Sequence, residues 1–145
     1  MVEDLDTAVR QEEHISLAGL RILVAEDNEL NIEILTALLE GEGIQCETAA
    51  NGQIAVEMFE QSSPGYYSMI LMDVQMPVMN GYDATRAIRD CAHPCAKSIF
   101  IAAMTANAFA EDMQKTAAAG MNAHLTKPIN LDEINKTLIQ LIQDK

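Results

Sequence analysis

Short apolar runs alternate with segments of helical periodicity along this chain of 145 residues. The runs predict strands at residues 20–25, 44–49, 67–72, 98–104 and 121–126. The periodic segments predict helices around residues 34–39, 55–59, 82–90, 108–119 and 131–141. Parallel strands need long crossover connections, which helices supply. The alternation therefore predicts an α/β fold of the doubly wound (βα)5 type, with a five-stranded parallel sheet and helices on both faces.

The length and composition indicate one globular domain. Hydrophobic residues make up 49% of the chain, which is ordinary for a folded protein. Residues 1–18 are acidic and polar and predict a tail or linker, which leaves residues 19–145 for the domain. An acidic start is not a signal peptide, and no apolar run approaches the roughly 20 residues that span a bilayer. We therefore expect a cytoplasmic location.

The net charge of −13 argues against direct binding to nucleic acid or to an anionic membrane, because like charges repel. It favours a basic partner or a bound cation. Cys46, Cys91 and Cys95 are an odd number of cysteines without an export signal, which favours free thiols. The sequence Cys91-Ala92-His93-Pro94-Cys95 suggests zinc, but a fourth ligand and the usual spacing are missing. A surface loop is the favoured interpretation.

The third apolar run ends abruptly at Asp73, and Pro77 follows four residues later. This pattern predicts a buried strand that delivers Asp73 to the edge of the sheet, with a loop after it. One interpretation of the carboxylate is a loop-start or helix-capping residue. The other is a nucleophile or metal ligand, since α/β proteins place their sites at the carboxyl ends of parallel strands.

Charged and hydroxyl residues follow four of the predicted strands. They are Glu26 and Asp27 after the first strand, Asp73 after the third, Thr105 after the fourth and Lys127 after the fifth. Taken singly, each has a common structural explanation as a helix-start residue, a cap or a solvated charge. Because the carboxyl ends of parallel strands share one edge, these five side chains are expected to converge.

The expected cluster has the chemistry of phosphoryl transfer. Three neighbouring carboxylates repel each other unless a cation lies among them. Mg²⁺ fits, because it prefers oxygen ligands and is bound by one or two carboxylates together with substrate phosphate. A lysine and a threonine hydroxyl can contact the same phosphoryl group, while a carboxylate acts as the attacking group.

In this order the segments resemble the receiver domain of two-component signalling, the phospho-acceptor module of response regulators and hybrid histidine kinases. The resemblance covers residues 21–143. It rests on Glu26-Asp27, Met72-Asp73-Val74-Gln75-Met76-Pro77, Asn80-Gly81, Met104-Thr105-Ala106 and Lys127-Pro128. Receivers of hybrid histidine kinases are most similar in the segments Gly81-Tyr82-Asp83-Ala84-Thr85-Arg86, Thr105-Ala106-Asn107-Ala108 and Ala119-Gly120-Met121. The resemblance implies the flavodoxin-like strand order 2-1-3-4-5.

The resemblance also implies how the site works. Asp73 attacks a phosphohistidine of a partner and becomes a phosphoaspartate. Glu26, Asp27 and Asp73 hold Mg²⁺, with the backbone carbonyl of Gln75 as a further ligand. Lys127 contacts the phosphoryl group. Output is then a shift between two conformations of the domain.

Four further residues have implied roles around this centre. A cis peptide bond before Pro128 directs the neighbouring lysine, and the small side chain of Ala106 leaves room for a phosphodonor. Thr105 moves towards the phosphoryl group. The output surface is strand four, helix four and strand five, with Ala103 to His124 as the moving part. His124 occupies the position three before the lysine, where receivers usually have a rotating Tyr or Phe. A histidine is smaller and titrates near neutral pH, so this part of the switch departs from the usual pattern.

The implied partner is a histidine kinase or a histidine phosphotransfer domain, with no direct contact to nucleic acid or membrane. The domain is expected to be a monomer or a weak, phosphorylation-dependent dimer, and not an enzyme by itself. Its parent is expected to be a hybrid sensor histidine kinase, which can be membrane-bound. A stand-alone single-domain response regulator is the alternative.

Two other classes share this strand pattern. A haloacid-dehalogenase-like phosphatase needs a second Asp two residues after the nucleophile as general acid, and Gln75 stands there. A flavodoxin-like cofactor binder needs a phosphate-binding loop after the first strand, where Glu26 and Asp27 would repel the phosphate. The receiver function is therefore the favoured one.

Overall fold

Five strands and five helices alternate along the chain in the computed structural model, which describes residues 19–106 and 110–143, with the backbone alone at 110–112. The strands are β1 (Arg21–Ala25), β2 (Gln45–Ala49), β3 (Met69–Asp73), β4 (Phe100–Thr105) and β5 (Ala123–Thr126). The helices are α1 (Glu29–Gly41), α2 (Gly52–Gln61), α3 (Gly81–Asp90), α4 (Ala110–Ala119) and α5 (Leu131–Gln143). The predicted tail at 1–18 lies outside the described residues.

The strands form one parallel sheet in the order β2-β1-β3-β4-β5, which confirms the predicted fold and strand order. Strands β3 and β4 are buried along their whole length, and β1 is buried except at its first residue. This explains why their sequences are continuous apolar runs instead of alternating ones. The edge strand β2 has one buried residue, Ala49, and is correspondingly more polar.

Alternate residues of each central strand pack into two separate cores. On one face, Ile70 and Met72 pack with Phe59 of α2 and Ile88 of α3. On the other face, a second core forms against α1 and α5, from residues Ile22, Val24, Met69, Leu71, Leu35, Leu39, Ile134 and Leu138. Two covered faces leave the strand ends as the place where polar side chains can gather.

Asparagine side chains begin four of the helices, all at the carboxyl edge of the sheet. Each accepts a hydrogen bond from the backbone N–H three residues later, at 2.9–3.0 Å. These residues are Asn28, Asn51, Asn80 and Asn130. The pairs Asn51-Gly52 and Asn80-Gly81, predicted as turn and loop, therefore begin α2 and α3, because an asparagine cap satisfies an otherwise unpaired helical N–H.

Three strands begin two residues later than their apolar runs predict. Before β3, the Tyr67 hydroxyl donates to Glu47 at 2.8 Å, and its ring is buried outside the sheet ladder. Before β4, the Ile99 N–H closes a turn with Cys95. Before β5, the Met121 N–H caps the end of α4. Burial alone does not distinguish such residues from strand residues, so the predicted starts were early.

Candidate functional site

Three carboxylates meet at the carboxyl edge of the sheet, as predicted. Glu26 and Asp27 directly follow β1, and Asp73 is the last residue of the neighbouring strand β3. One oxygen from each lies within 4.8 Å of the other two. Glu26 and Asp73 are only 1% and 3% exposed, whereas Asp27 is exposed. Two buried like charges this close require a cation.

Lys127 supplies one positive charge to this cluster. Its ammonium group lies 2.8 Å from Asp73 Oδ2 and 3.0 Å from Glu26 Oε2. Burial by itself lowers the pKa of Lys127, but the hydrogen bonds and charges of Asp73 and Glu26 outweigh that effect. The pKa is therefore raised above the usual value for lysine, and the side chain remains an ammonium group.

The start of α1 orients the Glu26 carboxylate. Its Oε1 atom accepts the Asn28 N–H at 3.2 Å and lies 3.5 Å from the Asn31 side-chain nitrogen. Its Oε2 atom is buried and faces Lys127. The sequence analysis did not identify Asn31. Its position one turn into the helix that follows the acidic pair would have been the only signal.

The loop between β3 and α3 fixes Asp73. Its Oδ1 atom accepts the Gln75 N–H at 3.0 Å. Gln75 also lines a surface depression together with Asp27, which places it beside the cluster, and its carbonyl as a metal ligand stays a prediction. A methyl group on Gly81 would lie 2.3 Å from the Asp73 carbonyl oxygen. Only a glycine permits this close approach of α3 to the strand end.

Thr105 and Lys127 are connected through the backbone. Thr105 ends β4, is buried, and its carbonyl accepts the Lys127 N–H at 2.7 Å. The peptide bond between Lys127 and Pro128 is cis, as predicted. Ala106 follows at an exposed position. The structure thus brings the predicted threonine and lysine to the same edge as the carboxylates.

His124 lies in β5, away from the contacts of the carboxylate cluster. Its Nδ1 atom is 3.4 Å from the Thr116 hydroxyl of α4. Its Nε2 atom is buried, and no hydrogen-bond partner for it lies within the described residues. The side chain therefore bridges β5 and α4, and its role in a switch stays a prediction.

In the Cys91–Cys95 segment, His93 makes contacts with nearby backbone atoms. The His93 ring accepts the Cys95 N–H at Nδ1 and contacts the Ser62 carbonyl through Nε2 at 2.9 Å. Both ring nitrogens are therefore used in backbone contacts. Across the ranges that the structure describes, the carboxylates of Glu26, Asp27 and Asp73 are the one group of three potential metal-ligating side chains.

The carboxylate cluster fits a hard divalent cation. Its donors are oxygens alone, two of the three carboxylates are buried, and Asp27 is open to solvent. Mg²⁺ combines a small number of carboxylate ligands with several waters, which suits one open side.

Comparison with known proteins points to one family. The family model of the response regulator receiver domain matches residues 22–139. Hybrid signal transduction histidine kinase B of Dictyostelium discoideum is 41% identical over 132 residues, which cover 85% of this chain. The match covers 6% of that kinase, so the chain spans a small part of the relatives that it resembles.

Two solved structures are similar in fold and in sequence. The receiver domain of the Pseudomonas aeruginosa sensor histidine kinase PA1611, with a magnesium ion coordinated in the active site cleft, has 38% identity and a TM-score of 0.76. The match covers 86% of this chain and 98% of that one. The receiver domain of Ssk1, in complex with the phosphotransfer protein Ypd1 of Saccharomyces cerevisiae, has 32% identity and a TM-score of 0.74 over 84% and 88%. Within the ranges that the structure describes, every helix falls short of the length and hydrophobicity that a bilayer-spanning segment requires.

Proposed function

The chain belongs to the response regulator receiver domain family and is a receiver domain of a two-component phosphorelay, and from this premise we propose that Asp73 is its phospho-acceptor. The observation that carries the proposal is that Asp73 contacts the Lys127 ammonium group and has an oxygen within 4.8 Å of the two carboxylates after β1. Asp73 is buried on a rigid strand end, and one of its oxygens already contacts a cation. A carboxylate held in this way is oriented for in-line attack.

In the proposed step, an Asp73 oxygen attacks the phosphorus of a phosphohistidine. The new O–P bond forms while the N–P bond breaks, and the histidine leaves with the electron pair of that bond. Lys127 shifts its contact from the Asp73 carboxylate to the transferred phosphoryl oxygens, where its charge offsets the added negative charge. The Gln75 N–H keeps the acceptor oriented.

We propose that Glu26, Asp27 and Asp73 hold Mg²⁺, with the Gln75 carbonyl as a further ligand. The metal supplies charge neutralisation for the phosphoryl oxygens when it is bound. Glu26 is oriented for this role by Asn28 and Asn31, and Asp27 keeps the cluster open to solvent. The all-oxygen donor set supports this assignment.

The surface around Asp73 suits a protein phosphodonor. Four large apolar side chains, of residues Leu30, Ile34, Ile54 and Val78, are exposed in segments that follow β1, β2 and β3 at the same edge. Residues 22–85 contain eleven Asp or Glu and no Lys or Arg. We therefore propose a donor with an apolar and basic contact face, on a histidine kinase or a histidine phosphotransfer domain.

The parent protein is proposed to be a hybrid sensor histidine kinase, because the matched relatives include such kinases, of which this chain spans a small part. The isolated domain is proposed to take up and release a phosphoryl group without turning over a separate substrate. Gln75 supports this over a phosphatase, since an amide cannot serve as the general acid two residues after the nucleophile.

Phosphorylation by a small donor tests the function. We expect wild-type protein with Mg²⁺ and phosphoramidate to gain one acid-labile phosphoryl group, measured by intact-protein mass spectrometry. Asp73→Asn should gain none. The matched control is Asp83→Asn, since Asp83 is exposed on α3 and pairs with Arg86. Equal labelling of Asp73→Asn and wild type would refute the assignment of the acceptor.

A further inference from the structure

One guanidinium group holds the end of α4 to the start of β4. All five N–H bonds of Arg89, in the last turn of α3, donate to oxygen atoms of other segments. The Nε–H and one Nη2–H reach the Gly120 carbonyl at 3.0 and 2.8 Å, and the other Nη2–H reaches Asn122 Oδ1 at 2.9 Å. The two Nη1–H bonds reach the carbonyls of Ala96 and Ile99 at 3.0 and 2.7 Å. The donor capacity of the side chain is thereby exhausted.

Two of these contacts supply hydrogen-bond donors at the carboxyl end of α4. Gly120 has a φ of +99° and follows the last residue of α4. The N–H groups of Met121 and Gly120 bond back to the carbonyls of Thr116 and Ala117, which is the hydrogen-bond pattern of a Schellman cap. A positive charge is favourable at a helix carboxyl end, where carbonyls lack partners. Burial lowers the pKa of Arg89, and the contacts to carbonyl oxygens offset the cost of that burial.

Asn122 extends the same connection into the sheet. Its side-chain oxygen accepts hydrogen bonds from the Arg89 guanidinium group and from the Ile101 backbone N–H, both at 2.9 Å. The backbone N–H of Asn122 donates to the Ile101 carbonyl at 2.7 Å. The carboxyl end of α4 is therefore bound to the amino end of β4, which lies at the edge of the sheet opposite Asp73.

Residues 113–119 of α4 are held less firmly than this end. Among its residues 113–119, only Thr116 and Ala119 are buried, and the Met113 side chain is 52% exposed. A helix with so little buried apolar surface gains little packing energy from its present orientation. The helix is therefore firmly bound at its carboxyl end and weakly packed along residues 113–119, so we expect it to move more easily there than at Gly120.

We propose that Arg89 fixes the carboxyl end of α4 at Gly120 in both states of the domain, so that the motion expected between β4 and β5 on phosphorylation of Asp73 stops before residues 120–122. The inference rests on the proposed function, since it assumes that a change at Asp73 reaches Thr105. Arg89 is then a positioning residue, which determines where the motion stops. Without it, the change would extend into the segment before β5.

Amide chemical shifts of isotope-labelled protein, with and without Mg²⁺ and beryllium fluoride, test this inference. For wild type we expect shift changes at Thr105, Ala106 and residues 113–115, and none at residues 120–122. The Arg89 Nε–H signal should be present and unchanged. In Arg89→Lys the shift changes should extend to residues 120–122. Arg86→Lys is the matched control, because Arg86 lies on the same helix and is exposed, and it should behave as wild type.

Two results would overturn the inference. The first is a wild-type response at residues 120–122 as large as that at Thr105, and this measurement does not depend on whether a variant folds. The second is an Arg89→Lys pattern identical to wild type. A different result, no response to beryllium fluoride anywhere in wild type, would instead overturn the proposed function, so the two failures are distinguishable.

Discussion

The Lys127 ammonium group lies 2.8 Å from Asp73 Oδ2, although the two residues are 54 positions apart in the chain. Asp73 ends β3 and Lys127 follows β5, and these two strands are not neighbours, since β4 lies between them. Lys127 crosses that strand end and also reaches Glu26 after β1, at 3.0 Å. One ammonium group thus joins the ends of three strands, and we therefore expect it to contribute to the stability of the fold.

Replacing Lys127 by Ala should destabilise the metal-free protein by about 1–3 kcal/mol. The substitution leaves Asp73 and Glu26 buried without their compensating charge, although the partial exposure of Lys127 reduces the cost below that of a fully buried pair. Urea unfolding in the presence of EDTA measures the effect. Lys136→Ala is the control, since Lys136 is exposed on α5. A Lys127 variant as stable as wild type would contradict the expected role of this charge.

The pH dependence of that stability difference is also predicted. The pKa of Lys127 is raised in the folded protein, so folding favours its charged form. Its contribution is then fully present below the unfolded lysine value of about 10.4 and is lost as the pH rises through the higher folded value. The difference between wild type and Lys127→Ala should stay constant from neutral pH to about pH 10 and decrease above it. Denaturant midpoints across this range provide the measurement.

Much of the fold follows from local patterns. The buried central strands are continuous apolar runs, and helices with one apolar side separate them, so the parallel order could be predicted. Asp73 and Lys127 could be placed together because parallel topology brings all strand ends to one edge. The prediction needed no side-chain geometry, only the order of the elements.

Other features depend on tertiary contacts and have no local signal. Arg89 at the end of α3 looks like any basic residue near a helix terminus, yet it binds segments up to 33 residues away. Ile34 continues the apolar pattern of α1 but is 47% exposed, and it lines a surface depression together with Lys127 and Pro128. Contacts and exposure of this kind depend on how the helices pack in three dimensions. The hydrophobic periodicity of the sequence does not specify that packing.

Gly81→Ala should destabilise the fold and disturb Asp73, the proposed acceptor. A methyl group there would lie 2.3 Å from the Asp73 carbonyl oxygen and 2.9 Å from Val74 Cα, so the start of α3 must move away from the strand. We expect a loss of about 1–3 kcal/mol in unfolding free energy, the usual cost of overpacking. Slower labelling by phosphoramidate should accompany it. Both effects are measured on the same purified protein.

Gly41→Ala is the matched control for that variant. Gly41 ends α1, and a methyl group added there would meet no atom within 4 Å outside its own helical turn and its chain neighbours. The substitution should stabilise the protein by up to about 1 kcal/mol, because alanine loses less conformational entropy in a helix. If Gly81→Ala behaved like Gly41→Ala, the close approach to Asp73 would not constrain this position.

Val78→Gly should stabilise the protein by about 0.5–1 kcal/mol. Val78 has a φ of +69°, at the centre of a tight turn in which the Met79 N–H donates to the Pro77 carbonyl at 2.7 Å. A β-branched residue in this region costs about 1–2 kcal/mol, of which the greater unfolded entropy of glycine cancels part. Its side chain is 81% exposed, so little packing is lost. Ile54→Gly, at an exposed position inside a helix, should be destabilising instead, and thermal unfolding of both variants distinguishes the two expectations.

His124→Ala should leave phosphorylation of Asp73 unchanged. The contacts of His124 are to Thr116 of α4, whereas Asp73 is held by Lys127 and the Gln75 N–H, neither of which touches the imidazole among the described contacts. Removing the ring should therefore alter the surface between β5 and α4 without altering the surroundings of Asp73. Initial rates of labelling by phosphoramidate provide the measurement, with Lys127→Ala as the variant in which the rate should fall. A large loss of uptake in His124→Ala would instead place His124 in the chemistry of the acceptor site.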